Sequence, residues 1–126
     1  MTDHELLTRA IAARERAYAP YSHFTVGAAL LCEDGTVYDG CNIENAAHTP
    51  TVCAERTAFF KAVSDGKRAF TAIAVVGGTA PCPPCGVCRQ VMAEFCDGDF
   101  AVILQDKSGE AKRYTLDQLL PLQFEL

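Results

Sequence analysis

The sequence predicts an α/β fold: one mixed sheet with helices on both faces, three α/β/α layers in all, built as a single domain over residues 1–126. Three observations carry this. Segments with helical spacing of apolar residues alternate with short strand-like runs, in the order αββαβαβ(β)α. Two of those runs, "FTAIAVVGG" and "FAVILQ", are continuously apolar, the pattern of strands covered on both sides. A third stretch, "HFTVGAALLCEDGTVYDGCNIE", reads as a hairpin, two β-rich runs about a turn at Glu33-Asp34-Gly35.

Taken in order, Thr2 and Glu5 stand at the spacing of a capping box. Leu6, Leu7, Ala10, Ile11, Ala13, Ala17 and Tyr18 then recur at helical intervals, predicting a first helix that runs on until Pro20 stops it. The hairpin supplies the first two strands. A second helix begins near Val52, turns Ala58, Phe59 and Ala62 inward, and ends at "SDG" with Gly66 as its stop. "FTAIAVVGG" follows as a central strand. Pro84 suits the first position of a third helix through "CGVCRQVMAEFC". "FAVILQ" is the next buried strand, and Thr115 with Gln118 caps a short last helix through Leu119 and Leu120. The chain shows no repeat, low-complexity tract or linker.

Composition narrows the function. A chain of 126 residues buries about two-thirds of its unfolded surface, enough for a true core. Hydrophobic content of 49% with 21% charged residues is ordinary for a globular domain. A net charge of −5 argues against nucleic acid, whose recognition needs clustered Lys and Arg. No apolar run reaches the roughly 18 residues of a membrane span. The start, "MTDHELLTRA", is acidic and polar where a signal peptide is basic and then apolar, so a cytoplasmic protein is expected.

Of the 7 cysteines, Cys32, Cys41 and Cys96 stand alone in apolar or strand-like stretches and read as small buried hydrophobes. The others cluster. An odd number without a secretion signal disfavours a disulfide framework and points to metal binding or chemistry. Cys85 and Cys88 share the first turn of the third helix and lean to one side. Cys53 holds the matching place at the start of the second. Helix N-termini favour thiolates, so three of them converging there make a three-ligand zinc site with an open fourth position.

Cys82 opens an alternative, a closed four-thiolate structural site, because Cys82-Pro-Pro-Cys85 is a second CxxC. Two prolines resist the tight turn of a zinc knuckle. At about 3.1 Å rise per residue they set the Cα atoms of Cys82 and Cys85 roughly 9 Å apart. Glu55 favours the open site. On a regular helix it points about 160° away from Cys53, but from a first turn a long carboxylate can reach past the helix end and move protons on metal-activated water. Its bland alternative is a partner for the helix dipole. Arg56 can donate to a thiolate and offset the net negative charge of three thiolates on zinc; its alternative is a solvated surface arginine.

The combination of "CAER" with "PCGVCRQ", preceded by "FTVGAAL" and "NIENA", resembles the small homotetrameric cytidine deaminases over nearly the whole chain, from "AYAPYS" to "LLPLQF". The resemblance implies a five-stranded sheet and one zinc ion per chain on Cys53, Cys85 and Cys88. It implies that Glu55 takes a proton from water and passes protons to ring nitrogen 3 and the leaving ammonia. It makes Asn42 and Glu44 the ribose-binding pair, Phe24 a wall of the base pocket and Ala54 a further substrate contact. Phe124 would cross from a neighbouring subunit to cover the base. Asn42 and Glu44 read alone are strand-end turn residues, and Phe24 by alternation is core. The implied activity is deamination of cytidine and 2′-deoxycytidine in pyrimidine salvage, without nucleic-acid or membrane partners. "NIENA" and Phe24 favour this over a blasticidin-type antibiotic deaminase, which shares "CAE" and "PCGxCR". A non-catalytic zinc-stabilised module is the other alternative. His48 stands where relatives carry Tyr, and no role is assigned to it.

Overall fold

A computed structural model describes all residues 1–126. The chain forms α1 (Asp3–Arg14), β1 (Val26–Cys32), β2 (Val37–Cys41), α2 (Ala54–Ser64), β3 (Phe70–Gly77), α3 (Gly86–Phe95), β4 (Ala101–Gln105), β5 (Ala111–Thr115) and α4 (Leu116–Leu119). The strands make a 5-stranded sheet in the order β2-β1-β3-β4-β5. Only β3 and β4 pair in parallel, Ala72 opposite Ala101 through Val75 opposite Leu104. Helix α3 lies between them in sequence, as a parallel connection requires. The other pairs are antiparallel.

Alternation along the strands divides the core. Ala29, Ala72, Ala74, Val76, Ala101 and Ile103 face Leu6, Leu7 and Ala10 of α1. Ala28, Leu30, Ile73, Val75, Val102 and Leu104 face the other way, onto Ala58, Phe59 and Ala62 of α2 and Met92 of α3. The expected central strand is β3, buried along nearly its whole length because helices cover both of its faces.

Both expected capping boxes form, Thr2 with Glu5 and Thr115 with Gln118. Gly66 ends α2 at φ +94°, with Gly66 N–H bonded to Val63 O at 3.0 Å and Lys67 N–H to Ala62 O at 2.9 Å, the paired bonds of a Schellman stop. Two boundaries differ from expectation. Helix α1 ends at Arg14, well before Pro20, because Tyr18 spends its N–H on Asn42 O (2.9 Å) and its carbonyl on Glu44 N–H (2.8 Å). Ile11 and Tyr18, expected inside, are exposed. Pro84 is not the first residue of α3: Cys85 stays extended as the N-cap and the helix opens at Gly86. Of the lone cysteines, Cys32 is core, while Cys41 and Cys96 are only partly buried.

Candidate active site

Helices α2 and α3 each begin with a cysteine at the N-cap, Cys53 at φ −75°, ψ 157° and Cys85 at φ −70°, ψ 168°, and neither thiol bonds to its own helix. N-cap positions favour Ser, Thr, Asp or Asn, whose oxygens satisfy free helix N–H groups. A thiol gives up that bond and is free to point elsewhere. Here Cys53, Cys85 and Cys88 point at one another, with all Sγ atoms within 4.8 Å and the Cys53–Cys85 pair at 3.8 Å. Thiolates held about 2.3 Å from a tetrahedral zinc ion lie about 3.8 Å apart, so the donor set and its spacing fit zinc. Cys82 is not in the cluster.

At each helix the N-cap residue meets the residue three further on. In α3 that residue is Cys88, another member of the cluster. In α2 it is Arg56, whose Nη2 donates to Cys53 Sγ at 3.3 Å. Hydrogen bonding with Cys88, and then with Arg56 and Cys85, holds the Cys53 thiol down to about 5, while Cys88 is pushed up by the same bond and by burial. Arg56 thus meets one thiolate by direct contact.

Glu55 is only 4% exposed. The expected 160° opposition to Cys53 does not arise, because Cys53 is an extended cap and not part of the regular helix. Burial pushes the Glu55 carboxyl up to about 7. It lines a cavity of about 210 Å³ with Cys53, Cys85, Ala54, Asn42 and Phe24. Six of the residues singled out from sequence therefore share one space. Phe24, which alternation alone would bury, is 47% exposed there.

The ribose pair is divided. Asn42 is buried, its Oδ1 accepting from Val26 N–H at 2.8 Å and its Nδ2 donating to Phe24 O at 2.7 Å. Glu44 lies in an adjoining groove with Tyr21, Ser22 and His48; Thr51 lines both spaces. Its carboxylate accepts from Tyr21 N–H at 2.9 Å, Ser22 N–H at 3.1 Å and the Ser22 hydroxyl. These bonds, the Ser22 hydroxyl foremost, hold it below the usual carboxylate range.

Phe124 is remote from this cavity, in a groove with Gln90 and Glu94 of α3. Sequence reasoning missed Ser22 as the holder of Glu44, and Cys82 with Pro83 as walls of the cavity. The only signal for Ser22 was its place in "APYS". A larger space of about 470 Å³ opens at the other end of β3, beside Phe70. It holds neither the thiol cluster nor the buried glutamate. Its arginines are committed, Arg113 to Asp3 at 2.9 Å and Arg68 to the carbonyls of Val63 and Lys67.

A helix–sheet–helix sandwich whose helix N-termini gather three thiols around a buried carboxylate defines a zinc-binding α/β enzyme domain. Its family follows from comparison. The family model described as "Cytidine and deoxycytidylate deaminase zinc-binding region" matches residues 1–104, and the chain belongs to that family. It is 58% identical over 125 residues to the cytidine deaminase of Sporosarcina psychrophila, covering 98% of this chain and 92% of the relative. Identity to the cytidine deaminase of Halalkalibacterium halodurans is 57% over 120 residues, covering 94% and 91%. The 1.6 Å crystal structure of cytidine deaminase from Burkholderia pseudomallei matches with a TM-score of 0.93 at 51% identity, over 98% of this chain and 100% of that one. No helix is long and apolar enough to cross a membrane.

Proposed function

We propose that this chain hydrolyses the exocyclic C–N bond of cytidine and 2′-deoxycytidine, releasing ammonia and leaving uridine or 2′-deoxyuridine, in cytoplasmic pyrimidine salvage. The observation that carries the reading is the buried Glu55 carboxylate opening into the same cavity as the thiol cluster. Cys53, Cys85 and Cys88 hold zinc, which when bound supplies the Lewis acidity that lowers the pKa of water. Glu55 is not a ligand but the proton carrier. It takes a proton from water as the oxygen adds to carbon 4 and delivers it to ring nitrogen 3. It then moves the proton of the new hydroxyl to the amino group, which leaves as ammonia. Arg56 offsets the negative charge of the thiolates.

Around that centre, Phe24 forms a wall for the base and Ala54 lines the floor. Asn42 and Glu44 take the ribose hydroxyls. A carboxylate offers about four acceptor sites; three donors already fix Glu44, which orients it and leaves capacity for a ribose hydroxyl. The assembly is a homotetramer in which Phe124 of one subunit helps to cover the base held by another.

Loss of near-ultraviolet absorbance on incubation with cytidine tests the reading. Zinc-replete protein should turn over cytidine or deoxycytidine. Glu55→Gln should keep fold and metal yet lose ~10²–10⁴-fold or more in rate, since the amide cannot accept the proton. No turnover of either nucleoside by zinc-replete protein would sink the proposal.

A further inference from the structure

We propose that Gly78 is a positioning residue for substrate binding: its bare Cα is the seat on which the Phe24 ring rests, and that seat holds the aromatic wall against the bound base. The inference rests on the reading of Phe24 given above and goes a step beyond it. A Cβ at Gly78 would lie 2.1 Å from Phe24 Cε2, 2.5 Å from Cζ and 3.0 Å from Cδ2. One whole edge of the ring therefore fills the space that any other side chain would take. Gly78 also has φ +50°, in the left-handed region that a Cβ disfavours. Backbone conformation and packing independently select glycine here.

The main chain of Phe24 is fixed. Its N–H is bonded to Ser22 Oγ at 3.0 Å, and its carbonyl accepts from Asn42 Nδ2 at 2.7 Å. The residues on either side are tied as well. His23 N–H bonds to Ala19 O at 3.0 Å, and Thr25 O accepts from Gly78 N–H at 3.4 Å. With the backbone pinned, a Cβ at Gly78 is accommodated by rotation of the ring about its side-chain bonds. The ring is half exposed and has room to turn. Turning takes it off the cavity wall, while the thiols and Glu55, carried on other elements, stay in place. A wall that touches the base in ground state and transition state alike contributes uniform binding, so its loss raises KM and leaves kcat.

The test compares KM and kcat for cytidine in Gly78→Asn, Phe24→Ala and the double variant. Asparagine tolerates positive φ better than other side chains, so Gly78→Asn keeps the backbone while adding the colliding Cβ. Phe24→Ala should raise KM about 5- to 150-fold, the range of base–aromatic stacking. Gly78→Asn should raise it toward the same value, with kcat within about twofold of the parent. In the Phe24→Ala background the asparagine should add nothing, because no ring remains to displace. If Gly78→Asn alone fails to fold, the double variant should fold. The seat is overturned if Gly78→Asn leaves KM unchanged while Phe24→Ala raises it, if both changes act additively, or if the double variant also fails to fold. An unchanged KM in Phe24→Ala overturns the wall itself, and the seat with it.

Discussion

Cys82 is the residue on which the nature of the metal site turns. It lines the same cavity as Cys53 and Cys85, yet it stands outside the group of mutually close thiols. Burial, and then the charge of Glu55, push its pKa up, so it stays a neutral thiol. Three ligands leave one zinc position open for chemistry, whereas four close it. Cys82→Ser should therefore retain a full zinc complement by elemental analysis, whereas serine at 53, 85 or 88 should strip most of it. Zinc loss from Cys82→Ser would restore the closed structural site. Much of this was legible in sequence, because cysteine at a helix cap with its partner three residues on is local chemistry. The contributions of Ser22 and Gly78 were not. Each acts on a residue distant in sequence, Ser22 on Glu44 and Gly78 on Phe24, and only the folded chain brings those pairs together. Phe24 itself was legible through the family pattern alone, since strand alternation buries it and the structure leaves it half exposed.

At the scale of elements, the placement of α2 on β2 sets the depth of Cys53 and Glu55. Gly40 makes that contact possible: a Cβ there would lie 2.3 Å from Ala54 O and 2.6 Å from Ala58 N. Ala54 stands between Cys53 and Glu55, so a displaced first turn carries both with it. Overpacking costs about 1–3 kcal/mol, which for a domain of this size lowers Tm by roughly 4–12 °C. Gly40→Ala should show that drop together with reduced zinc content. Gly27→Ala, whose Cβ would lie 2.0 Å from Ala10 O on the opposite face, should lower Tm comparably and keep its zinc. Full zinc in folded Gly40→Ala would show that α2 can shift without disturbing the cluster. Element identities were readable from the sequence because caps and stops are encoded locally, as at Thr2, Gly66 and Thr115. The overlong first helix shows the limit. Ala17 and Tyr18 keep the helical period, but the backbone of Tyr18 pairs with Asn42 and Glu44, a partnership no local pattern records. Strand β5 was weak for a related reason, since "AKRYT" is an edge strand whose Lys112 and Arg113 are exposed.

For the whole molecule, the question is what covers the cavity. Phe124 does not fold back onto its own core: it is 69% exposed beside α3, and its carbonyl accepts from Gln90 Nε2 at 3.1 Å. Leu122 and Leu126 on the same segment are exposed as well, leaving an apolar stretch with no partner inside the chain. The base cavity has the complementary deficit, an aromatic wall half open to solvent at Phe24. Polar chemistry on a nucleobase gains from excluding water, and a symmetric assembly gives every site the same borrowed residue. In the homotetramer proposed above, truncation after Leu122 should leave each chain folded and zinc-loaded but raise KM for cytidine strongly. Neither the truncated form nor full-length Glu55→Gln is efficient alone. Mixed tetramers of the two unite an intact Glu55 on one chain with an intact Phe124 on its neighbour, so mixing should restore activity as subunits exchange. Size-exclusion chromatography with one form tagged reports the exchange independently of turnover. Confirmed exchange with no recovered activity would mean that Phe124 serves its own chain, and that the cavity is covered by something other than a neighbour's aromatic ring.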